Sequence, residues 1–141
     1  MHLRVGAYAV ITDGEGRMLL PHWSEPGLGS GWTLPGGGVE FGEDPADGVL
    51  REVFEETGYS AELDELLGID NLVIPGERRE EKHRGTPLQA LRIIYRARIT
   101  SGELRIEQNG STDDVAWFTQ AEVDGLNRVS LVDIARDLAK L

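Results

Sequence analysis

The chain has no cysteine, and that absence excludes a disulfide framework, a thiolate metal centre and thiol catalysis together. Long apolar runs are missing too. Val5 to Ile11 is a short apolar stretch near the N-terminus, too brief and too weakly flanked for a secretory signal. No segment approaches the roughly eighteen apolar residues of a membrane span. The expectation is a cytoplasmic protein that does not associate with membranes. Positive charge is scarce: 14 lysines and arginines face 25 acids, a net charge of −11. That balance argues against nucleic-acid polymers, whose phosphates demand a basic face. Small phosphorylated ligands stay open, because metal ions can mediate those contacts.

What is present fits one globular domain over residues 1–141, with 40 % hydrophobic residues and enough length for a core that needs no staple. Residues 3–12 and 17–21 read as strands joined by a hairpin turn at Asp13-Gly14-Glu15-Gly16. Residues 24–38 are rich in glycine and proline, hence loop with at most a short strand at Trp32–Leu34. A helix follows with clear ends: Asp44 as N-cap, Pro45 first, Asp47 in the first turn and Gly58 just past the end. Residues 60–74 suggest one or two strands, 88–99 a long one and 114–119 a last one, with a polar surface loop at 75–87. Ser130 is expected to cap a C-terminal helix with apolar spacing at Leu131, Ile134, Ala135 and Leu138. Mixed strands and helices give an α+β class with a mixed sheet.

Charge position matters more than charge total. Seven acids lie between Gly37 and Tyr59: Glu40, Glu43, Asp44, Asp47, Glu52, Glu55 and Glu56. At 100° per residue, Ala46, Val49, Leu50, Val53, Phe54 and Thr57 gather on one side of the helix and face the core. Glu52, Glu55 and Glu56, at i, i+3 and i+4, share the other side. Stacked carboxylates repel by a few tenths of a kcal/mol per pair, and a merely solvated face would intersperse lysines. Only Arg51 adjoins this cluster. Hard divalent cations take oxygen ligands of this kind, Mg²⁺ above all with Mn²⁺ as substitute. Gly48 sits one turn before Glu52 and costs the helix about 1 kcal/mol relative to alanine. Either something approaches closely there, or it is a small packing residue. Upstream, Gly36-Gly37-Gly38 lets backbone come near a metal or phosphate.

The stretch Gly37 to Tyr59 reads GGVEFGEDPADGVLREVFEETGY. It resembles the box of the Nudix (MutT-like) hydrolases, G-x5-E-x7-R-E-U-x-E-E-x-G-U, where U is bulky and apolar. Gly37, Glu43, Arg51, Glu52, Glu55, Glu56 and Gly58 fill the fixed positions, Val53 the first U and Tyr59 the last, the latter a mild departure from aliphatic. The lead-in Trp32-Thr33-Leu34-Pro35-Gly36-Gly37 and the strand before Trp117 are similar to the family's as well. The resemblance implies the Nudix fold, an α/β/α sandwich in which a loop–helix–loop lies beside a mixed central sheet. It implies metal ligation by Glu52, Glu55 and Glu56 with the Gly36 carbonyl, and bracing of the loop by Arg51 and Glu43. It also implies hydrolysis of a phosphoanhydride bond in a nucleoside diphosphate linked to a further group X.

The proton acceptor is open. Glu52 is one candidate; an acid outside the box, in Glu107 to Asp114, is the other, with Glu107 ranked ahead of Asp113 and Asp114 for its reach. Catalytic roles are therefore expected for Glu52, Glu55, Arg51 and Glu107. Tyr8, Trp23 and Trp32 are candidates for stacking on a nucleobase, against core or loop packing. His2, His22 and His83 have no ligand spacing and read as surface or packing residues. The loop cations Arg78, Arg79, Lys82 and Arg84 are interleaved with Glu77, Glu80 and Glu81, so a solvated loop outweighs a phosphate contact. The expected substrate is a small nucleotide, a nucleoside triphosphate first. ADP-ribose or another nucleotide sugar or dinucleotide is the alternative, for which Pro75 is a faint hint. A non-catalytic nucleotide-sensing module is the third reading, disfavoured by the intact box. Monomer and homodimer both remain open.

Overall fold

The computed structural model describes residues 1–79, 83–108 and 110–141. Its elements run β1 (His2–Ile11), β2 (Met18–Glu25), β3 (Gly29–Trp32), β4 (Gly36–Gly38), α1 (Pro45–Thr57) and β5 (Tyr59–Ile74). A 3-10 turn (Gly76–Arg78), β6 (Leu88–Gly102), β7 (Thr112–Phe118), α2 (Gln120–Asp124) and α3 (Ser130–Ala139) follow. Four strands form one sheet in the order β4-β1-β6-β5, in which β1 and β6 run parallel and the other pairs antiparallel. Three strands form a second, antiparallel sheet in the order β3-β2-β7.

The alternation of side chains along β1 divides the core in two. Ala7, Ala9 and Ile11 point to one face and meet Val49 and Val53 of α1 together with Ala97 and Val115. Val10 points to the other, where Met18, Leu20, Leu34 and Ile94 pack beneath Leu131, Val132 and Ala135 of α3. Helix, sheet and helix therefore form three layers, as an α/β/α sandwich requires. Among the described residues no helix is long and apolar enough to cross a membrane.

The turn after β1 forms as the sequence suggests: the Asp13 carboxylate accepts the Glu15 and Arg17 amides, each at 2.9 Å. The hairpin does not continue. After one bridge, Thr12 to Met18, β1 and β2 part into different sheets. Both strands are buried on both faces where they diverge, so each needs cover on two sides, which a plain two-stranded ribbon does not offer. The Gly- and Pro-rich stretch holds two short strands, β3 and β4, where loop was expected; β3 ends at Trp32, and the amide of Trp32 donates to the Asn127 carbonyl at 2.9 Å. Residues 60–74 form part of a single long strand with bulges, and the loop at 75–87 contains the 3-10 turn. Ser130 is the first residue of α3 rather than its cap; Val129 holds that position and caps without its side chain. The short helix α2, unforeseen, is set by a capping box between Thr119 and Glu122.

Candidate active site

Local chemistry fixes α1. The Asp44 side chain accepts the Ala46 amide at 3.1 Å, Pro45 occupies the first turn, and Gly58 closes the helix at φ 82, donating to the Phe54 carbonyl at 3.0 Å. Val49, Val53 and Thr57 are buried as the periodicity requires. Phe54 is not: it is 48 % exposed, and the Arg105 guanidinium lies 5.3 Å above its ring. The helix covers a narrower arc of the sheet than its apolar pattern suggests, and the rim position falls to solvent.

Arg51 joins the helix to the loop before it. Its Nε and Nη2 donate to the two Glu43 oxygens at 2.9 and 3.0 Å, and Nη2 also reaches the Gly38 carbonyl at 3.3 Å. Nη1 donates to Glu52 at 3.0 Å and to Glu55 at 3.4 Å. The paired hydrogen bonds from Arg51 hold the Glu43 carboxyl down at about 2. Gly48 explains itself here: a Cβ would stand 2.9 Å from a Glu43 oxygen, so the glycine makes room for the brace.

The three helix glutamates sit in three environments. Glu55 is largely exposed. Glu52 is half-buried against Gly37, whose absent Cβ would lie 3.0 Å from its carboxyl carbon. Burial raises the Glu52 pKa, Arg51 opposes it, and Glu55 and Glu107 add to the rise. Glu56, 9 % exposed, accepts the Gly36 amide at 2.7 Å and the Thr112 hydroxyl at 3.5 Å. Burial pushes its pKa up to about 9, against the pull of the Gly36 amide and with the help of Glu52 and Glu107.

Of the three acids expected near the late strand, the structure brings one to this cluster. Glu107 is half-buried, accepts the Thr112 amide at 3.4 Å and raises the pKa of both Glu52 and Glu56 by its charge. Gly110 allows this, since a Cβ there would overlap the Glu107 carboxylate. Asp113 instead pairs with His22 at 2.6 Å, and Asp114 accepts the Val115 amide at 2.8 Å. Thr112 and Gly110 were missed in the sequence. A glycine two residues before a threonine is too common a pattern to mark a site. A groove of about 530 Å³ opens beside the cluster, lined by Phe54, Glu55, Arg105, Ile106, Glu107 and Gln108.

The donor set suits a hard divalent ion. It is made of carboxylate oxygens, and Glu56 is a buried acid with an amide and a hydroxyl but no basic side chain bonded to it among the described residues. Among the described residues no three acidic or imidazole groups converge to chelate an ion as they stand. Arg51 draws Glu52 and Glu55 to itself while Glu56 turns in to Gly36, so ligation requires the first two side chains to swing. What the structure displays at Gly36 is its amide, bonded to Glu56.

Several of the other candidates have neighbours of their own. Trp32 meets His22 and Phe118 edge-on, at 5.0 and 4.8 Å between ring centres. Trp23 lies in β2 beside Gly29. His2 is bonded to Arg79 at 2.8 Å and stands edge-on to His83. Pro75 precedes the 3-10 turn. Glu80, Glu81 and Lys82 lie outside the described residues.

Comparison with known proteins agrees with this geometry. A family model described as NUDIX domain matches residues 2–138. The chain is 31 % identical over 119 residues to a MutT-like protein of Streptomyces ambofaciens, covering 84 % of this chain and 66 % of that protein. Other curated relatives run longer still, with 21 % and 34 % of two of them covered. Among solved structures, a NUDIX hydrolase from Nitrosomonas europaea superposes with a TM-score of 0.79 at 25 % identity, covering 97 % of this chain and 88 % of that one. A MutT NUDIX hydrolase from Burkholderia pseudomallei gives 0.78 at 26 % identity, with 98 % of each chain covered.

Proposed function

The chain belongs to the Nudix hydrolase family, and we propose that it cleaves the phosphoanhydride bond of a nucleoside triphosphate, releasing nucleoside monophosphate and pyrophosphate. Glu52, Glu55, Glu56 and the Gly36 carbonyl would hold Mg²⁺, or Mn²⁺ in its place. The observation that carries the reading is the placement of Glu52 and Glu56 against the glycine strand β4, with Glu107 on Thr112 beside them and Arg51 the one cation bonded to Glu52 among the described residues. The triphosphate reading is supported by a Bacillus subtilis relative named putative 8-oxo-dGTP diphosphatase, 36 % identical over 64 residues.

Bound there, the ion supplies neutralisation of phosphoryl oxygens and acidification of a water. The chain's own residues do the rest. Arg51 ties Glu52 through Glu43 to the loop and keeps it at the site, from which it and Glu55 would swing to the ion. Glu107 takes the proton of the attacking water; its carboxylate stands beside the cluster on a separate segment and is not needed as a ligand. Water oxygen bonds to phosphorus as the bridging phosphate oxygen leaves. The test is a metal-supplemented screen of nucleoside triphosphates, dinucleotides and nucleotide sugars, run in ¹⁸O-water. Triphosphates should turn over fastest, with label in a phosphoryl product. Label on a sugar carbon would overturn the bond assignment, and a panel with no turnover would favour a sensing module.

A further inference from the structure

Strand β4 is an edge strand of three glycines, and the acids occupy one side of it. Gly37 shares a face with its register partner Ala7, the face covered by α1, and Glu52 lies against it. Gly36 and Gly38 pair with Tyr8 and Gly6 and belong to the opposite face. There the register builds a row that starts almost bare: Gly38 beside Gly6, then Arg92, then Asp70. A Cβ on Gly6 would stand 2.8 Å from the Tyr8 ring, so that glycine makes room for the ring, while one on Gly36 would first strike the Ala7 carbonyl of β1. Arg4, two residues before Gly6, lays its guanidinium over Gly38, where a Cβ would be 3.7 Å from Nε and Nη2.

Arg4 differs from most of the other arginines. Arg17, Arg51, Arg92, Arg128 and Arg136 each grip a carboxylate, and Arg92 spends both its contacts on one Asp70 oxygen. Arg4 grips none among the described residues, in a chain with a net charge of −11. It is not remote from the acids, for the Tyr8 phenol is influenced by Arg4 and Arg92 and also by Glu56 and Glu52. One strand, about 5 Å across and without a side chain, separates the free cation from the acid cluster.

We propose that Arg4 is a substrate-binding residue that takes a phosphate beyond the pair that a metal on Glu52, Glu55 and Glu56 would hold, the polyphosphate crossing the bare strand β4. This rests on the reading of those acids as the pyrophosphohydrolase site and sharpens it: three or more consecutive phosphates are preferred to a diphosphate capped by an uncharged sugar. A guanidinium suits a phosphate because its planar fork donates two charge-assisted hydrogen bonds.

The experiment compares wild type, Arg4→Gln and Arg4→Lys on a nucleoside triphosphate and on a nucleoside diphosphate sugar, with inorganic tripolyphosphate and pyrophosphate as inhibitors. Arg4→Gln should raise KM for the triphosphate, and Ki for tripolyphosphate, by about tenfold to a hundredfold, the loss of one charge-assisted contact. KM for the sugar nucleotide and Ki for pyrophosphate should stay within about twofold, and Arg4→Lys should recover part of the loss. Equal effects on both substrates, or none, with an unchanged melting temperature, overturn the proposal. Calorimetry of the two inorganic anions in Mg²⁺ separates this outcome from a failure of the wider reading. A wild-type preference for tripolyphosphate that Arg4→Gln removes supports Arg4 even without turnover, and no such preference overturns it.

Discussion

Arginine meets carboxylate on two helices of this protein, in different proportions. At α3, Arg128 and Arg136 share Asp133 at 2.9 and 3.1 Å, and Arg136 also holds Asp124 at 2.9 Å. Two cations face two acids, and Arg128 first, then Arg136, keeps Asp133 below the usual carboxylate range. At α1, Arg51 alone serves Glu43, Glu52 and Glu55, while Glu56 is buried beyond its reach and Glu107 adds a further acid. A network that holds a fold together can balance its charges and does so at α3. The α1 network gathers more acid than Arg51 can pair, and in the metal-free chain Glu56 keeps a proton instead; that unpaired acid is what marks it as a site.

The strongest way to break the comparison is to remove that excess. Glu56→Gln and Glu55→Gln should each lower turnover by more than about a hundredfold, with activity abolished by EDTA. Metal-free melting temperature should hold or rise, since Glu55→Gln removes a repelling charge and Glu56→Gln replaces a carboxyl that already keeps its proton. Activity that survives EDTA would end the claim that α1 binds a metal.

Next in size is the proton acceptor. Glu107→Gln should cost about tenfold to a hundredfold in kcat and remove one limb of the pH–rate profile. Asp113→Asn and Asp114→Asn should stay within about threefold, because one pairs with His22 and the other with a backbone amide. If Glu107→Gln keeps both rate and limb, the base is Glu52. The two arginines then sharpen the contrast. Arg51→Ala should cost roughly tenfold to a hundredfold in activity through misplaced ligands. Arg136→Ala should lower the melting temperature and leave kcat and KM unchanged.

The last effect is on stability instead of turnover, and it has opposite signs in the two regions. Glu56, raised to about 9 in the folded chain from 4.5, keeps a proton that the unfolded chain releases. Metal-free stability should therefore fall as pH rises from about 4.5 towards 9, by at most about 1.4 kcal/mol per pH unit for this one group. Chemical denaturation at several pH values should show that slope vanish in Glu56→Gln. Asp133, lowered from 3.8, does the reverse: its contribution is full above 3.8 and is lost as pH falls through its depressed value. A stability curve unaffected by Glu56→Gln at rising pH, or by Asp133→Asn at falling pH, would contradict the corresponding assignment.

The sequence by itself determined whatever depends on near neighbours along the chain. The ends of α1 follow from Asp44, Pro45 and Gly58, whose hydrogen bonds reach no further than four residues. Arg51, Glu43 and the three glutamates come together because 3.6-residue periodicity and one short loop place them so. Strands β1, β5 and β6 were legible from their apolar content. What only the tertiary structure decided involves partners far apart. Strands β1 and β2 parted into two sheets because both faces of each needed cover. Phe54, apolar and correctly spaced, was left at the rim beside the groove, with the Arg105 guanidinium over its ring. Glu56 matched Glu52 and Glu55 in sequence, yet it alone was buried, by the Gly36 amide 20 residues upstream and Thr112 56 residues downstream. Glu107 was singled out from Asp113 and Asp114 by Gly110 and by which way the loop turned onto α1. A short-range pattern fixes which groups exist on a face; how much water each keeps, and so its charge, depends on chain brought in from elsewhere.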